Sequence, residues 1–403
     1  MELFWLEHKK LWRKKIVKIC VLLCFVYCVI FGSILSFQWF CFGSSDDYTS
    51  AFGNNFDGYT VIKDSQEYAL SFGGELTDET LQKIVSDYQQ MEADGMGEEL
   101  EKTDWQIVNS WLGTLYPELR DTSNYKTMIS YVDPDKLTGF YERRQQVLDE
   151  FLEVSGQVGA EKEFLHQIER KVEKPFRYEW VEGWSALLSS IVADLGVVMA
   201  LFLGIVLSSL FAGEWHDNTS TLVLTTRNGW GKIALAKILT GLAFTVELFA
   251  LLAVSNVISQ LFFMGTAGWD MPIQNIKLIA VAPMNMLQAE IYEYAFVLLG
   301  AIGFAGIVMF ISAAVKNNVL TLLLSLAVVY GPMMIAEYLP YEMQKALDLI
   351  PLVGSSTDIF RTNTFRIFGK LIWSPYLLIT IPVLIGILCM PFAIKSWSRR
   401  MKA

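Results

Sequence analysis

The sequence predicts an all-α polytopic membrane protein with six transmembrane helices, an N-terminal interfacial amphipathic helix and a mostly helical extracellular domain with room for minor β-structure. Of the 403 residues, 53% are hydrophobic and only 18% are charged, whereas charged residues make up about a quarter of an ordinary soluble domain. Residues 43–185 hold 29 acidic and 13 basic residues, so their net charge is −16. The rest of the chain holds 13 and 19, so its net charge is +6. This split indicates one water-facing domain on an apolar body.

The six predicted spans are apolar runs that reach the roughly 20 residues needed to cross a bilayer. In chain order they are residues 19–42, 185–213, 233–264, 291–315, 317–337 and 371–394. The first run is too long for a signal peptide, and no small-residue cleavage site follows it before an aromatic run. Residues 265–290 form one outer connection. Residues 338–370 form another, which we expect to be a re-entrant or interfacial hairpin.

The orientation of the spans follows from the basic residues beside them. Lysine and arginine are concentrated in residues 1–18, in the loop 214–232, at Lys316 and in the tail 395–403. With six spans these segments all lie on one side, which the positive-inside rule makes the cytosol. Both termini are therefore expected in the cytosol, and residues 43–184 on the outer side.

The segments outside the spans are predicted to be helical. In residues 1–18, aromatic and aliphatic residues recur near helical spacing with lysines between them, which is typical of an amphipathic helix in the membrane interface. In the outer domain, Thr77 is the expected N-cap of one helix, Pro117 ends a second, and a third begins after Pro134. Residues 48–72 have the composition of a short hairpin. The outer domain contains no cysteine, so packing rather than disulfides must stabilise it.

The sequence lacks the common motifs of catalytic and nucleotide-binding sites. It has three histidines, far apart, and no HExxH, CxxC, GxSxG or GxxxxGK[S/T] pattern. We therefore expect no cofactor or metal in this chain, and ATP and Mg²⁺ only in a partner subunit.

The net charge of −10 argues against a nucleic-acid partner. Cys20, Cys24 and Cys28 share one helix face, and this spacing favours packing over metal binding.

Two carboxylates fall inside predicted spans. Asp194 lies in the second span and Glu247 in the third. An intramembrane carboxylate costs about 3 kcal/mol on insertion scales, so it usually faces protein or water. Each is therefore a candidate for lining a substrate path. The alternative is a carboxylate that neighbouring hydroxyls satisfy or that stays protonated.

The loop between the second and third spans is the most informative segment. A small-residue pair and Glu214 end a helix, a threonine-rich stretch follows, and a basic turn leads to the next span. This layout resembles the permease subunits of ABC-2 type (type V) ABC transporters, in the subtype with a large extracellular domain between the first and second spans. The matching residues are Glu214, Thr219, Leu222, Leu224, Thr225, Thr226, Lys232 and Lys237. Asn218 replaces the usual glycine, and the turn at 227–230 lacks the usual proline.

The resemblance implies a role and a set of partners. Residues 214–232 would be the coupling helix that docks on cytosolic ABC ATPase subunits. The residues expected to couple are Glu214, Thr219, Leu222, Thr225, Thr226, Arg227 and Lys232. The chain would be a non-enzymatic half of an exporter in a bacterial cytoplasmic membrane, paired with a second permease half. It would move an amphipathic substrate such as a peptide antibiotic, a lipid or a drug.

Two other functions stay open at this point. One is a non-transporting membrane protein whose extracellular domain binds a peptide or a cell-wall ligand. The other is a secondary transporter, which predicts an inverted repeat and broken helices, neither of which is evident in the sequence.

Overall fold

The computed structural model describes residues 2–30, 62–63, 66–67, 69, 73–96, 105–121, 123, 126–190, 195–217, 219, 231–354, 360 and 362–399. The second half of the predicted first span and most of the predicted hairpin at 48–72 lie outside these residues. Within them the chain is mostly helical, with two antiparallel two-stranded sheets.

The chain begins with two consecutive helices, α1 (Glu2–Arg13) and α2 (Lys15–Ile30). Helix α2 buries Cys20, Cys24 and Cys28 on one side, which confirms that the three cysteines share a packing face. Its other side exposes aliphatic and aromatic residues. A helix with such a surface suits an apolar solvent better than water.

Most of the buried hydrophobic residues described between positions 73 and 178 form a core of their own, whereas Leu148, Leu152 and Leu165 belong to the core of the helical body. The elements of this domain, over residues 73–178, are β1 (Gly74–Glu75), α3 (Asp78–Met91), α4 (Trp105–Leu115), α5 (Phe140–Val154), α6 (Ala160–Glu169) and β2 (Arg177–Tyr178). Strands β1 and β2 pair antiparallel. The Thr77 hydroxyl accepts a hydrogen bond from the Thr80 amide at 3.2 Å, which confirms the predicted N-cap of α3.

The domain is fastened to the connection that follows residue 264. In its core, the Trp111 indole donates a hydrogen bond to the Asn275 carbonyl oxygen at 2.9 Å. The fully buried Arg144 guanidinium donates to the carbonyl oxygens of Leu278 and Ala280 and pairs with Glu169 at 2.6 Å. Because these hydrogen bonds join buried groups of the domain to backbone carbonyls of the connection, the two pack against each other.

The remaining helices form the apolar body. They are α7 (Glu182–Ser190), α8 (Gly196–His216), α9 (Lys232–Met264), α10 (Met286–Ala314), α11 (Asn318–Ile335), α12 (Tyr341–Leu347) and α13 (Ser374–Arg399), with a hairpin of β3 (Thr364–Ile367) and β4 (Lys370–Trp373) before the last helix. Among the described residues, α8, α9, α10, α11 with its 3₁₀ extension, and α13 are long and apolar enough to cross a membrane. The predicted span at 19–42 is described only to Ile30, so a sixth span stays a prediction.

Several predicted boundaries differ from the helices observed. Residues 185–213 hold the end of α7 and most of α8, and α8 continues to His216. Helix α10 begins at Met286 rather than at 291, because Asn285 and Gln288 form a capping box there. Helix α13 begins at Ser374 rather than at 371, because the preceding residues pair in the β-hairpin. The expected hairpin region 338–370 thus contains α12 and most of this β-hairpin.

Helices α10 and α13 approach each other closely at glycine residues. A Cβ atom on Gly306 would lie 2.4 Å from the carbonyl oxygen of Gly386. Only glycine permits this approach, and small residues at helix crossings are characteristic of membrane helix pairs.

Candidate functional site

Four charged side chains meet where α1 packs against the ends of α8 and α9. Glu214, in the last turn of α8, is 3% exposed, and its Oε1 lies 2.8 Å from Lys237 Nζ and 2.6 Å from Lys10 Nζ. Lys237, in the second turn of α9, also lies 2.7 Å from Glu7 Oε2. We name this set, Lys10–Glu214–Lys237–Glu7, the charged cluster. Because its charges alternate in sign, each buried charge has an opposite charge beside it.

Two further polar contacts complete the surroundings of the charged cluster. The Thr219 hydroxyl donates a hydrogen bond to the Glu214 carboxylate, and Lys14 Nζ donates to Ser209 Oγ at 2.9 Å. Burial and the nearby Lys237 charge lower the pKa of Lys14. Burial also disfavours charge on Lys10, but its hydrogen bond to Glu214 and the charge of that carboxylate outweigh this effect and raise the pKa of Lys10.

A cavity of about 20 Å³ lies among these side chains, bordered by Glu7, Lys10, Lys14, Glu214 and Lys237. This volume has room for one water molecule, which the surrounding polar groups could hold. The charged cluster is therefore a compact junction of three helix ends with no space for a larger ligand.

Glu247 lies farther along α9 and also faces α1. Its Oε2 accepts a hydrogen bond from Trp12 Nε1 at 3.0 Å, and its Oε1 lies 3.2 Å from His8 Nε2. The side chain is 42% exposed. Because both contacts come from α1, the surroundings of Glu247 are those of an anchor for this helix.

The structure brings together part of the predicted coupling set. Glu214 and Thr219 are in contact, but Glu214 belongs to the last turn of α8 rather than to a loop. Lys232 is exposed at the start of α9 and makes no ion pair with any described residue. The other predicted site residues, Leu222, Thr225, Thr226, Arg227 and the path candidate Asp194, lie outside the described residues.

Sequence reasoning missed the contribution of α1 to the charged cluster. The available signal was the spacing of Glu7, Lys10 and Lys14 at i, i+3 and i+7, which places them on one face of a helix. The sequence does not indicate which residues that face contacts.

Sequence reasoning also missed a buried polar group at the other end of α9. Four residues on α9 and three on α10 are polar and mostly buried; they are Ser255, Asn256, Ser259, Gln260, Glu290, Glu293 and Tyr294. With α10 predicted to start at 291, Glu290 fell in the outer connection. Because α10 starts at Met286, both glutamates lie inside the helix.

Comparison of the chain with protein-family models, with curated proteins and with solved structures gives no match. The functional argument therefore depends on the residues and their geometry.

Proposed function

We propose that this chain is the permease subunit of an ABC-2 type transporter that exports an amphipathic substrate across a bacterial cytoplasmic membrane. In this proposal, six spans place both termini and residues 214–232 in the cytosol and residues 43–184 outside. The observation that carries the proposal is the charged cluster, because it fastens the two helix ends on either side of residues 217–231 to each other and to α1.

The charged cluster suits a segment that transmits force. A subunit that pushes on residues 218–230 would displace the end of α8 and the start of α9. The buried Glu214–Lys237 pair links these two ends at 2.8 Å, and separating the pair would leave unpaired charges at a cost of several kcal/mol. The two helices and α1 would therefore move together.

The partners follow from what the chain supplies and exposes. The sequence has no phosphate-binding loop, so the proposal assigns ATP and Mg²⁺ to separate ATPase subunits. Only 17% of the most apolar stretch of α11 is buried, against 72% of the corresponding stretch of α8. Helix α11 exposes Val319, Leu320 and Leu323. That surface suits a second permease half or lipid.

The first experiment is purification of the tagged full chain from its native membrane. We expect a stoichiometric partner with a Walker motif, and its reproducible absence would favour a non-transporting protein that binds an outer ligand.

The second experiment tests coupling in proteoliposomes that contain the partner subunits. We expect Glu214→Gln to keep ATP hydrolysis but to lower substrate transport at least tenfold, because α8 and α9 would no longer move as one. The matched control is Glu337→Gln, an exposed carboxylate far from the charged cluster. Transport by Glu214→Gln at the wild-type rate would contradict the assignment of this junction to coupling.

One observation favours a secondary transporter as the second proposal. Glu290 and Glu293 are buried within an apolar helix, and intramembrane carboxylates commonly mark ion pathways. Substrate movement driven by an ion gradient in vesicles that lack ATP would support this second proposal.

A further inference from the structure

Asn256, Glu290 and Tyr294 form a buried group between α9 and α10, which we name the polar cluster. The Asn256 Nδ2 group donates a hydrogen bond to the Tyr294 hydroxyl at 3.3 Å. That hydroxyl is in turn the neighbouring group that interacts with the Glu290 carboxyl. Asn256 lies 19 residues along α9 from Lys237, about 28 Å, so the polar cluster is separate from the charged cluster.

The polar cluster contains an excess of hydrogen-bond acceptors. Glu290 and Asn256 are each 3% exposed. No donor among the described residues lies within hydrogen-bonding distance of either carboxyl oxygen of Glu290, so the Tyr294 hydroxyl is only a nearby dipole, and the Asn256 Oδ1 atom has no partner either. Nearly all buried polar atoms in native proteins are hydrogen-bonded, and each exception requires an explanation such as a bound ion. A carboxylate in apolar surroundings is the most costly kind of exception.

These atoms specify the chemistry of the ligand that would satisfy them. Carboxylate and amide oxygens accept and do not donate, and the carboxylate also carries a negative charge, so a cation satisfies both needs at once. A set of ligating atoms made only of oxygens suits a hard cation. The set includes one carboxylate, which a single positive charge neutralises, whereas a divalent ion would leave a net charge in apolar surroundings.

We propose that Glu290 and Asn256, together with the Tyr294 hydroxyl, bind a monovalent alkali cation, Na⁺, within the helical body. The adjoining face of α9 carries the buried residues Ser255, Ser259 and Gln260. Hydroxyl and amide groups lower the free-energy cost of bringing a cation to this depth. This site does not depend on the proposed transport function, because it needs neither ATP nor a partner subunit.

The experiment uses the purified full chain in lipid nanodiscs. The first measurement is the midpoint of thermal unfolding, with NaCl replacing choline chloride at constant ionic strength. We expect Na⁺ to raise the midpoint of the wild type, because a ligand that binds the native state stabilises it. Glu290→Gln, which keeps the size of the side chain, is expected to abolish that shift. Asn256→Ala is expected to raise, at least tenfold, the Na⁺ concentration that produces half of the shift. The control Glu247→Gln, on the same helix as Asn256, should keep the wild-type shift.

The second measurement is modification of Glu290 by dicyclohexylcarbodiimide, a reagent for carboxyl groups in apolar surroundings, followed by peptide mass spectrometry. We expect modification in sodium-free choline buffer and at least tenfold slower modification in NaCl. Modification that NaCl does not slow would identify a proton as the occupant and overturn the proposal. A Na⁺-dependent midpoint shift that persists in Glu290→Gln, or the lack of both the shift and the modification in the wild type, would overturn it too.

Discussion

Replacement of Lys237 by methionine removes the charge that joins two carboxylates in the charged cluster. Lys237 Nζ lies 2.8 Å from Glu214 and 2.7 Å from Glu7. Methionine fills a similar volume without a charge. After the change Glu214 keeps Lys10 and the Thr219 hydroxyl, whereas Glu7 loses its one described ion pair.

The expected effect can be worked out from these contacts. Removing one partner of a buried ion pair costs about 3–5 kcal/mol. Lys10 stays on Glu214 but its side chain is 50% exposed, so it only partly replaces the lost charge, and the lower end of the range, about 3 kcal/mol, applies. Since about 1.4 kcal/mol corresponds to a factor of ten, the opening of α1 away from α9 should become about 150-fold more frequent.

Hydrogen–deuterium exchange of the peptide covering α1 measures this opening. We expect Lys237→Met to raise its exchange up to about 150-fold. Lys237→Met combined with Glu7→Gln should recover part of the protection, because the carboxylate that loses its one described ion pair is then neutral. Lys232→Met, an exposed lysine on the same helix, is the control and should match the wild type. Wild-type exchange of α1 in Lys237→Met would refute the reasoning.

Two further predictions concern stability away from the charged cluster. Arg144→Met should lower the free energy of unfolding by about 3 kcal/mol, measured by chemical denaturation, because Glu169 would keep only Lys174 and the Leu278 carbonyl would lose its donor, whereas the Ala280 carbonyl keeps Gln274. Burial opposes ionisation of Glu169, but its bonds to Lys174 and Arg144 outweigh this and lower its pKa. The unfolded state therefore binds more protons, so this stability is present above about pH 4.3 and is lost as pH falls; Glu169→Gln should weaken that dependence. Gly306→Ala should cost about 1–3 kcal/mol through the clash with α13, whereas Gly331→Ala, whose Cβ would have no neighbour within 4 Å, should be nearly neutral.

Local signals in the sequence predicted local structure well. Thr77 caps α3 because a threonine before an acidic first turn satisfies a free amide group there. Helix α4 ends at Leu115, just before Pro117, and the break between α5 and α6 contains the glycines 156 and 159, which have positive φ angles. Apolar runs likewise predicted the positions of the long helices. A helix long enough to cross a bilayer needs about 20 consecutive apolar residues, and such a run is visible in the sequence.

The sites depend on contacts between residues far apart in the chain, and the sequence does not specify these. Lys10 and Glu214 are 204 positions apart, and Trp12 and Glu247 are 235 positions apart. The start of α10 is a different case, because Asn285 and Gln288 have the spacing of a capping box and could have placed Glu290 inside the helix.

The two clusters have opposite electrostatic character, and this decides what each can do. The charged cluster pairs every buried charge, so it fixes the relative positions of three helices without needing a ligand. In the polar cluster the Glu290 oxygens and Asn256 Oδ1 have no hydrogen-bond partner among the described residues, and the proposed cation accounts for them. Both lie on α9, whose 33 residues contain no proline, whereas α11 and α13 have internal prolines. Since sharp helix kinks most often occur at proline, α9 is expected to move as one segment, and a shift of its start at Lys237 would also move Asn256 relative to Glu290.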